Sequence, residues 1–205
     1  MFYQVPPEKA LRFGDIVQGY ILTYPDIVDP IKNGEFTIDI NTRDLCVVLT
    51  PCCSIRDQII NLVPLKKVPK DHYKTPYLAE DMTRINKIMT QLEAMKISRF
   101  ERLTAEELKE AKESIKTYHW KDEFVYEGNE YFKEYDVEFP DGKSRPVNYY
   151  LINFKDIHKI KCKFIQNPEI FPEGSRLMQL SVDTRRDLMD KLYAYYRIPE
   201  EDTER

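Results

Sequence analysis

The sequence of 205 residues lacks several features that define large enzyme classes and membrane proteins. No Gly-rich phosphate loop of the GxxxxGK(S/T) or GxGxxG type occurs, so P-loop, kinase-like and dinucleotide-binding folds have no supporting motif. No apolar run approaches the roughly 20 residues that a membrane-spanning helix needs. The amino terminus has no basic segment followed by an apolar one. We therefore expect no signal peptide, no membrane association and a cytoplasmic location.

Cysteine and glycine are also scarce, with 4 Cys and 6 Gly against 13 Pro. Four cysteines without a secretion signal predict free thiols in a reducing compartment. So few glycines leave little room for flexible linkers. The formal net charge of −4 argues against a protein that coats nucleic acid over its whole surface.

The apolar content is high enough for a packed core. Hydrophobic residues make up 42% of the chain, with 14 Tyr and 10 Phe, which excludes a generally disordered protein. We expect one domain over residues 1–199 and an acidic tail at 200–205. Residues 121–141 carry a net charge of −6 and residues 142–199 a net charge of +5. This pattern is typical of solvated faces, or of a docking surface for a protein or nucleic acid.

Short β-rich segments occupy two stretches of the chain, 11–77 and 121–180. The continuous apolar run LCVVLT at residues 45–50 indicates a strand buried on both faces. About eight such strands at regular spacing favour an α+β fold, and within it a small, strongly bent SH3-like β-barrel.

Turn residues separate these strands. Pro25, Pro30 and Asn33-Gly34 predict a loop after the first strand. Pro-Asp-Gly-Lys at residues 140–143 predicts a tight turn inside a β-hairpin over 133–154.

A helical hairpin is predicted as an insertion over residues 78–119. Apolar residues at three- and four-residue spacing indicate an amphipathic helix over 79–98. Thr104 and Glu107 form a capping-box pattern at the start of a second helix. The hairpin either packs on the body of the protein or presents its tip to a partner. The residues predicted to contact a partner protein are Met89, Leu92, Lys96, Arg99, Phe100 and Arg102.

A terminal helix is predicted over residues 183–196. Ser181 or Asp183 is placed to cap it and Pro199 to end it. Its inward side chains are predicted to be Leu188, Leu192, Tyr195 and Tyr196.

The front of the chain resembles the PemK/MazF-type toxins. GDIV at residues 14–17, LCVVLTP at 45–51 and INLVPL at 60–65 follow the strand order of that family. The resemblance implies an SH3-like barrel that cuts single-stranded RNA. The family places a catalytic Arg in the loop after the first strand, yet residues 25–35 contain no Arg. It also places Ser or Thr after the Val-Pro motif, where this chain has Leu65-Lys66-Lys67.

A second resemblance, to an uncharacterised bacterial protein group, covers both ends of the chain. VVLTPCCSI at residues 47–55 is similar to the group's VVLTQSCDI-like segment. Residues 180–199 are similar to its terminal helix, with Ser, Arg, Leu and Tyr-Tyr-Arg at matching positions. Asp commonly follows the cysteine in that group, whereas Ser54 follows Cys53 here. The resemblance implies a setting in bacterial conflict and antiviral defence.

Nucleophilic or metal chemistry has few candidate residues. Cys53, Arg56, Asp57 and His158 are the candidates for a nucleophile or an acid–base set. Packing of small thiols in the core or a turn competes with this interpretation. Metal binding would draw on Cys46, Cys52, Cys53 and Cys162, but the chain has no CxxC or HxxxH spacing. We predict neither a cofactor nor a metal.

Nucleic-acid binding has a basic segment as its candidate. Lysines neutralise phosphates and neighbouring aromatics stack on bases, a combination that suits single strands. An edge strand protected from aggregation by lysine is the competing interpretation. The candidate contacts are Lys155, Lys159, Lys161 and Lys163, extended by Arg56, Lys66 and Lys67.

The sequence as a whole predicts a non-catalytic interaction module, a subunit of a bacterial multi-protein system. The helical hairpin and the acidic segment 121–141 are its predicted contacts. The alternatives are a PemK/MazF-like endoribonuclease or RNA-binding relative, and a cysteine-based redox or metal sensor.

Overall fold

The computed structural model describes residues 1–8, 10–29, 35–51, 54, 59–74, 78, 81–87, 104–106, 109, 120–161 and 176–197. These residues form a mixed α+β structure with antiparallel sheets. The helices are α1 (Lys70–Lys74), a short 3-10 helix (Met82–Asn86) and α2 (Val182–Tyr196). The strands are β1 (Ile16–Asp29), β2 (Glu35–Val48), β3 (Ile59–Pro64), β4 (Lys66–Lys67), β5 (Glu123–Tyr126), β6 (Tyr135–Glu138), β7 (Ser144–Val147), β8 (Tyr150–Asn153), β9 (His158–Lys161) and β10 (Arg176–Met178).

The chain divides into two compact units. Unit 1 comprises Met1, Tyr3–Leu65 and Asp156–Ser181, and unit 2 comprises Phe2, Lys66–Lys155 and Val182–Arg205. The single domain expected over residues 1–199 stays a prediction.

Unit 1 contains a five-stranded sheet in the order β10-β1-β2-β3-β9. The sheet forms because its strands alternate apolar side chains toward one core. The members of that core are Leu11, Val17, Leu22, Cys46, Val48, Ile60 and Leu62, with Ile160 packed against them. The outer strands β10 and β9 do not pair with each other in the described part of the chain, so no closed barrel is found there. The SH3-like barrel therefore stays a prediction.

The sequence predicts a loop from Pro25 onward, and this prediction is wrong for the first residues of the loop, which belong to a strand. β1 continues through Pro25, which pairs with Ile38 of β2, as far as Asp29. β10 pairs only with Ile16 and Val17 of β1. Proline is tolerated here because, among the described residues, this part of β1 has a partner on one side only. The strand predicted at residues 45–50 forms the end of a longer strand, β2, which begins at Glu35 and ends at Val48.

Unit 2 contains a three-stranded sheet, β4-β8-β5, and a two-stranded one, β6-β7. The turn predicted at residues 140–143 joins β6 to β7: Gly142 has φ +72° and its N–H donates to the Phe139 carbonyl at 2.9 Å. Strand β8 is separate from this hairpin and pairs with β4 and β5. The core of the unit is made by Val68, Tyr73, Leu78, Met82, Ile85, Val125, Val137 and Leu151.

The α-helix predicted over residues 79–98 is wrong where the structure describes it. The Asp81 carboxylate accepts the Thr83 N–H at 2.9 Å and starts a 3-10 helix, not an α-helix. That helix ends at Lys87, whose backbone is extended. Three residues per turn place Met82 and Ile85 on the same side, toward the core. Most of the predicted hairpin, including all of 88–103, lies outside the described residues.

Candidate interaction surface

Helix α2 is fixed to unit 2 by one face. Thr184, Leu188 and Lys191 are buried and recur at positions i, i+4 and i+7 along it. The Lys191 ammonium donates to the Ile85 carbonyl, and Lys87 forms an ion pair with Asp187. The helix forms because Val182–Tyr196 contains no Gly or Pro and because Asp183 lies in the first turn, where it opposes the helix dipole.

The opposite face of α2 is apolar and exposed. Val182, Met189, Tyr193 and Tyr196 expose 56%, 52%, 56% and 66% of their surface. Their spacings of seven, four and three residues place them within about 60° of one another around the helix axis. We call these four residues the outer face. Helix α2 therefore has apolar side chains on two opposite faces. The described residues of the chain cover only one of these faces.

The prediction that Tyr196 points inward is wrong. Leu188 is buried and Tyr195 packs against Phe154 with ring centroids 5.7 Å apart, as expected for inward residues. Tyr196 is instead the most exposed member of the outer face. The predicted inward residues assume a single apolar stripe along the helix. The spacing of Met189, Tyr193 and Tyr196 was the signal for a second one.

Charged side chains surround the outer face. Asp183 and Arg186 lie in its amino-terminal half, with 3.8 Å between carboxylate and guanidinium, and their side chains are 92% and 69% exposed. Arg197 lies at its carboxyl end, with its guanidinium 4.1 Å from the centroid of the Tyr193 ring. Asp183 and Arg186 offset each other, so the net positive charge of these three residues lies at the carboxyl end, at Arg197.

A cluster of ionisable groups lies on and beside β5 in the same unit. His72 Nε2 lies 2.7 Å from Glu123 Oε2, and Lys155 Nζ lies 2.6 Å from Asp122 Oδ2. Burial lowers the pKa of Lys191 to about 7, although Glu123 and Asp122 act in the opposite direction. An amine with so low a pKa suits proton transfer. Lys191 is only 4% exposed and is already bonded to a carbonyl, so substrate does not reach it.

The predicted nucleic-acid contacts fall in different units. Lys159 and Lys161 are exposed on one face of the edge strand β9 in unit 1, and neither has an ion-pair partner among the described residues. In unit 2, Lys66 and Lys67 are exposed on β4, and Lys67 Nζ lies 5.0 Å from the centroid of the Tyr135 ring. Lys155 is held by Asp122. Arg56 and Lys163 lie outside the described residues.

The predicted catalytic and metal candidates are described only in part. His158 Nε2 lies 3.0 Å from Asp156 Oδ1, with both side chains largely buried. Cys46 is fully buried in the core of unit 1. In the described part of the chain no three His, Cys, Asp or Glu side chains gather as metal ligands would. The candidates outside it are Cys52, Cys53, Arg56, Asp57 and Cys162, together with Met89, Leu92, Lys96, Arg99, Phe100 and Arg102.

Comparison with known proteins gives no relative: no family model, no curated protein and no solved structure matches this chain. Among the described helices, none has the length and apolar character that crossing a membrane requires.

Proposed function

We propose that this chain is a non-catalytic interaction subunit of a bacterial multi-protein assembly, and that it binds another protein through the outer face of α2. The observation that supports this is the exposure of Val182, Met189, Tyr193 and Tyr196 on one side of a helix whose other side is buried. Single exposed apolar residues are ordinary, whereas a contiguous set of them marks a contact surface.

The composition of the outer face suits a protein partner. Tyr, Met and Arg are enriched at protein interfaces, and tyrosine contributes a large contact area with few rotatable bonds. Burying one such apolar side chain contributes about 1.5–3 kcal/mol. The four side chains of the outer face are partly covered already, so a partner would bury the remaining 52–66% of each.

The sequence-based contacts extend this proposal. In the acidic segment 121–141, Asp122 and Glu123 are engaged by Lys155 and His72. The other exposed carboxylates that we propose for a basic partner are Glu130, Glu134, Asp136, Glu138 and Asp141, the last of which contacts Arg145. The hairpin 78–119 remains a proposed contact on its sequence pattern, and antiviral defence a proposed setting on the resemblance to the uncharacterised bacterial group.

Tagged purification from the native host tests the proposal when wild type is compared with Met189→Asp. We expect a stoichiometric protein partner, identified by mass spectrometry, to be retained by wild type and lost from the variant. A carboxylate at the centre of the outer face prevents burial there. Ile38→Asp is the matched control, because Ile38 is 51% exposed and lies on β2, outside α2 and the acidic segment 121–141. Equal retention by all three proteins, or cleavage of RNA by the purified chain alone, would contradict the proposal.

A second candidate function, binding of single-stranded RNA, is favoured by Lys159 and Lys161, which project from one exposed face of β9. In this case Lys159→Ala with Lys161→Ala is expected to weaken RNA binding by tenfold or more at low salt and to reduce its salt dependence, because each phosphate contact releases counterions. Fluorescence anisotropy with a labelled oligonucleotide measures both effects, with Lys133→Ala as the control. Absence of binding by wild type at low salt would exclude this function.

A further inference from the structure

The hairpin of β1 and β2 in unit 1 extends well beyond the other strands of its sheet. β10 pairs with β1 only over residues 16–17, and β3 pairs with β2 only over residues 46–48. Residues 20–29 of β1 and 35–44 of β2 pair with each other, and no third strand joins them in the described part of the chain. We call these two stretches the ribbon. At 3.4 Å per residue the ribbon is about 30 Å long.

A glycine at the base of the ribbon changes which side chains face outward. Val17 and Leu22 both lie in the core of unit 1, although strict alternation places residues five apart on opposite faces. Gly19 lies between them with φ +81°, which interrupts the alternation. Ile40 pairs with the residue after Leu22, so it lies on the opposite face of the ribbon, as does Ile38. These two isoleucines are accordingly 69% and 51% exposed.

We propose that the free edge of β2 in the ribbon binds an extended segment of another protein, which adds to the sheet as a strand and alternates basic with apolar residues. The segment takes the position beside β2 that β3 holds at residues 46–48, and so continues the order of the sheet. β2 offers the better edge because residues 35–44 contain no proline, whereas Pro25 removes a backbone donor from β1. This contact is additional to the one proposed for α2.

The charge of the ribbon determines the chemistry of its partner. Its two stretches carry five acidic residues against one basic residue, a net charge of −4. This charge opposes a nucleic acid and also the ribbon of a second copy, and it favours a segment rich in Lys or Arg. Ile38 and Ile40 favour apolar side chains directly across from them. A single strand meets both requirements, because its successive side chains point to opposite faces.

Fluorescence anisotropy of a labelled eight-residue peptide that alternates Val and Lys tests the inference on the purified full-length protein. We expect Ile40→Arg to weaken binding about tenfold or more, because it replaces an apolar contact with a charge that repels lysine. Val5→Arg is the matched control, because Val5 is 80% exposed and lies outside both strands. Its affinity for the peptide should stay within about twofold of wild type.

Two further measurements distinguish strand addition from simple charge attraction. N-methylation of the two central peptide residues keeps the side chains and the charge but removes one donor from each edge of the peptide, so binding should fall about tenfold or more. Hydrogen exchange of amides within residues 35–44 should slow when the unmethylated peptide binds, because its carbonyls accept their hydrogen bonds.

Four results would overturn the inference: no binding of the peptide, equal binding by Ile40→Arg, equal binding of the N-methylated peptide, or amide protection that falls outside β2. None of them bears on α2. In the tagged purification, a protein lost from Ile38→Asp alone would support the ribbon contact, whereas a protein lost from Met189→Asp alone would support the outer face. The two proposals can therefore fail separately.

Discussion

The free energy of unfolding of the wild-type protein is expected to rise by about 2 kcal/mol between pH 7 and pH 9, and Lys191→Met is expected to abolish most of this rise. Lys191 lies on the buried face of α2, is 4% exposed, and donates to the Ile85 carbonyl. The groups that face it with opposite charge are Glu123 and Asp122. His72 also contacts Glu123.

The direction of the effect follows from the two pKa values of this amine. Burial lowers the pKa of Lys191 from 10.5 to about 7 in the folded protein. Between these values the unfolded chain binds more protons than the folded one, so a rise in pH favours the folded state. Above pH 10 an opposing contribution begins, because burial raises the pKa of the hydroxyls of Tyr73, Tyr135 and Tyr149. Measurements between pH 7 and pH 9 therefore report the effect of Lys191 without the opposing effect of the tyrosines.

Urea unfolding at pH 7, 8 and 9 measures the effect. Lys191→Met is expected to be more stable than wild type at pH 7 and to lose most of that advantage by pH 9. Lys133→Met, a change at an exposed lysine of the same unit, is expected to keep the wild-type dependence on pH. A wild-type stability that is flat over this range would show that Lys191 stays charged in the folded protein.

Replacing Asn86 with leucine is expected to destabilise the protein by about 2–5 kcal/mol. Asn86 is 4% exposed, and its side-chain amide both donates to the Val125 carbonyl and accepts the Val125 N–H, each at 2.7 Å. Strand β5 is at the edge of its sheet. The asparagine thus takes the place of a neighbouring strand, and its loss leaves two buried backbone groups without these hydrogen bonds.

Urea unfolding with hydrogen exchange at the Val125 amide tests this role. Asn86→Leu should lower the midpoint and accelerate that exchange. Asn86→Asp keeps the acceptor oxygen, but its carboxyl group can donate only when it is protonated. The stability that this variant loses relative to wild type should therefore shrink as the pH falls. Asn129→Leu is the control, because the Asn129 side-chain oxygen accepts the Tyr131 N–H at 2.8 Å in an exposed loop. Its replacement should cost about 1 kcal/mol. An Asn86→Leu protein as stable as this control would refute the assignment.

The local sequence determined the elements whose signals act over a few residues. The apolar runs around Val47 and Val63 specify strands, and the Pro-Asp-Gly-Lys turn works because Gly142 adopts a positive φ at little steric cost. The terminal helix is specified by an uninterrupted run of helix-compatible residues between Ser181 and Pro199. The partner contacts predicted on the hairpin 78–119 came from the same kind of local periodicity.

Only the tertiary structure decided the features that depend on residues far apart in the chain. Pro25 became part of a strand because β2 pairs with it and no described strand lies on its other side. The amide of Asn86 acquired its role from Val125, 39 residues away. Lys191 acquired its low pKa from burial against the 3-10 helix, and Tyr196 became exposed because α2 docks by its opposite face. Periodicity shows that a helix has an apolar stripe, but the free energy of packing against the rest of the chain selects which stripe is buried.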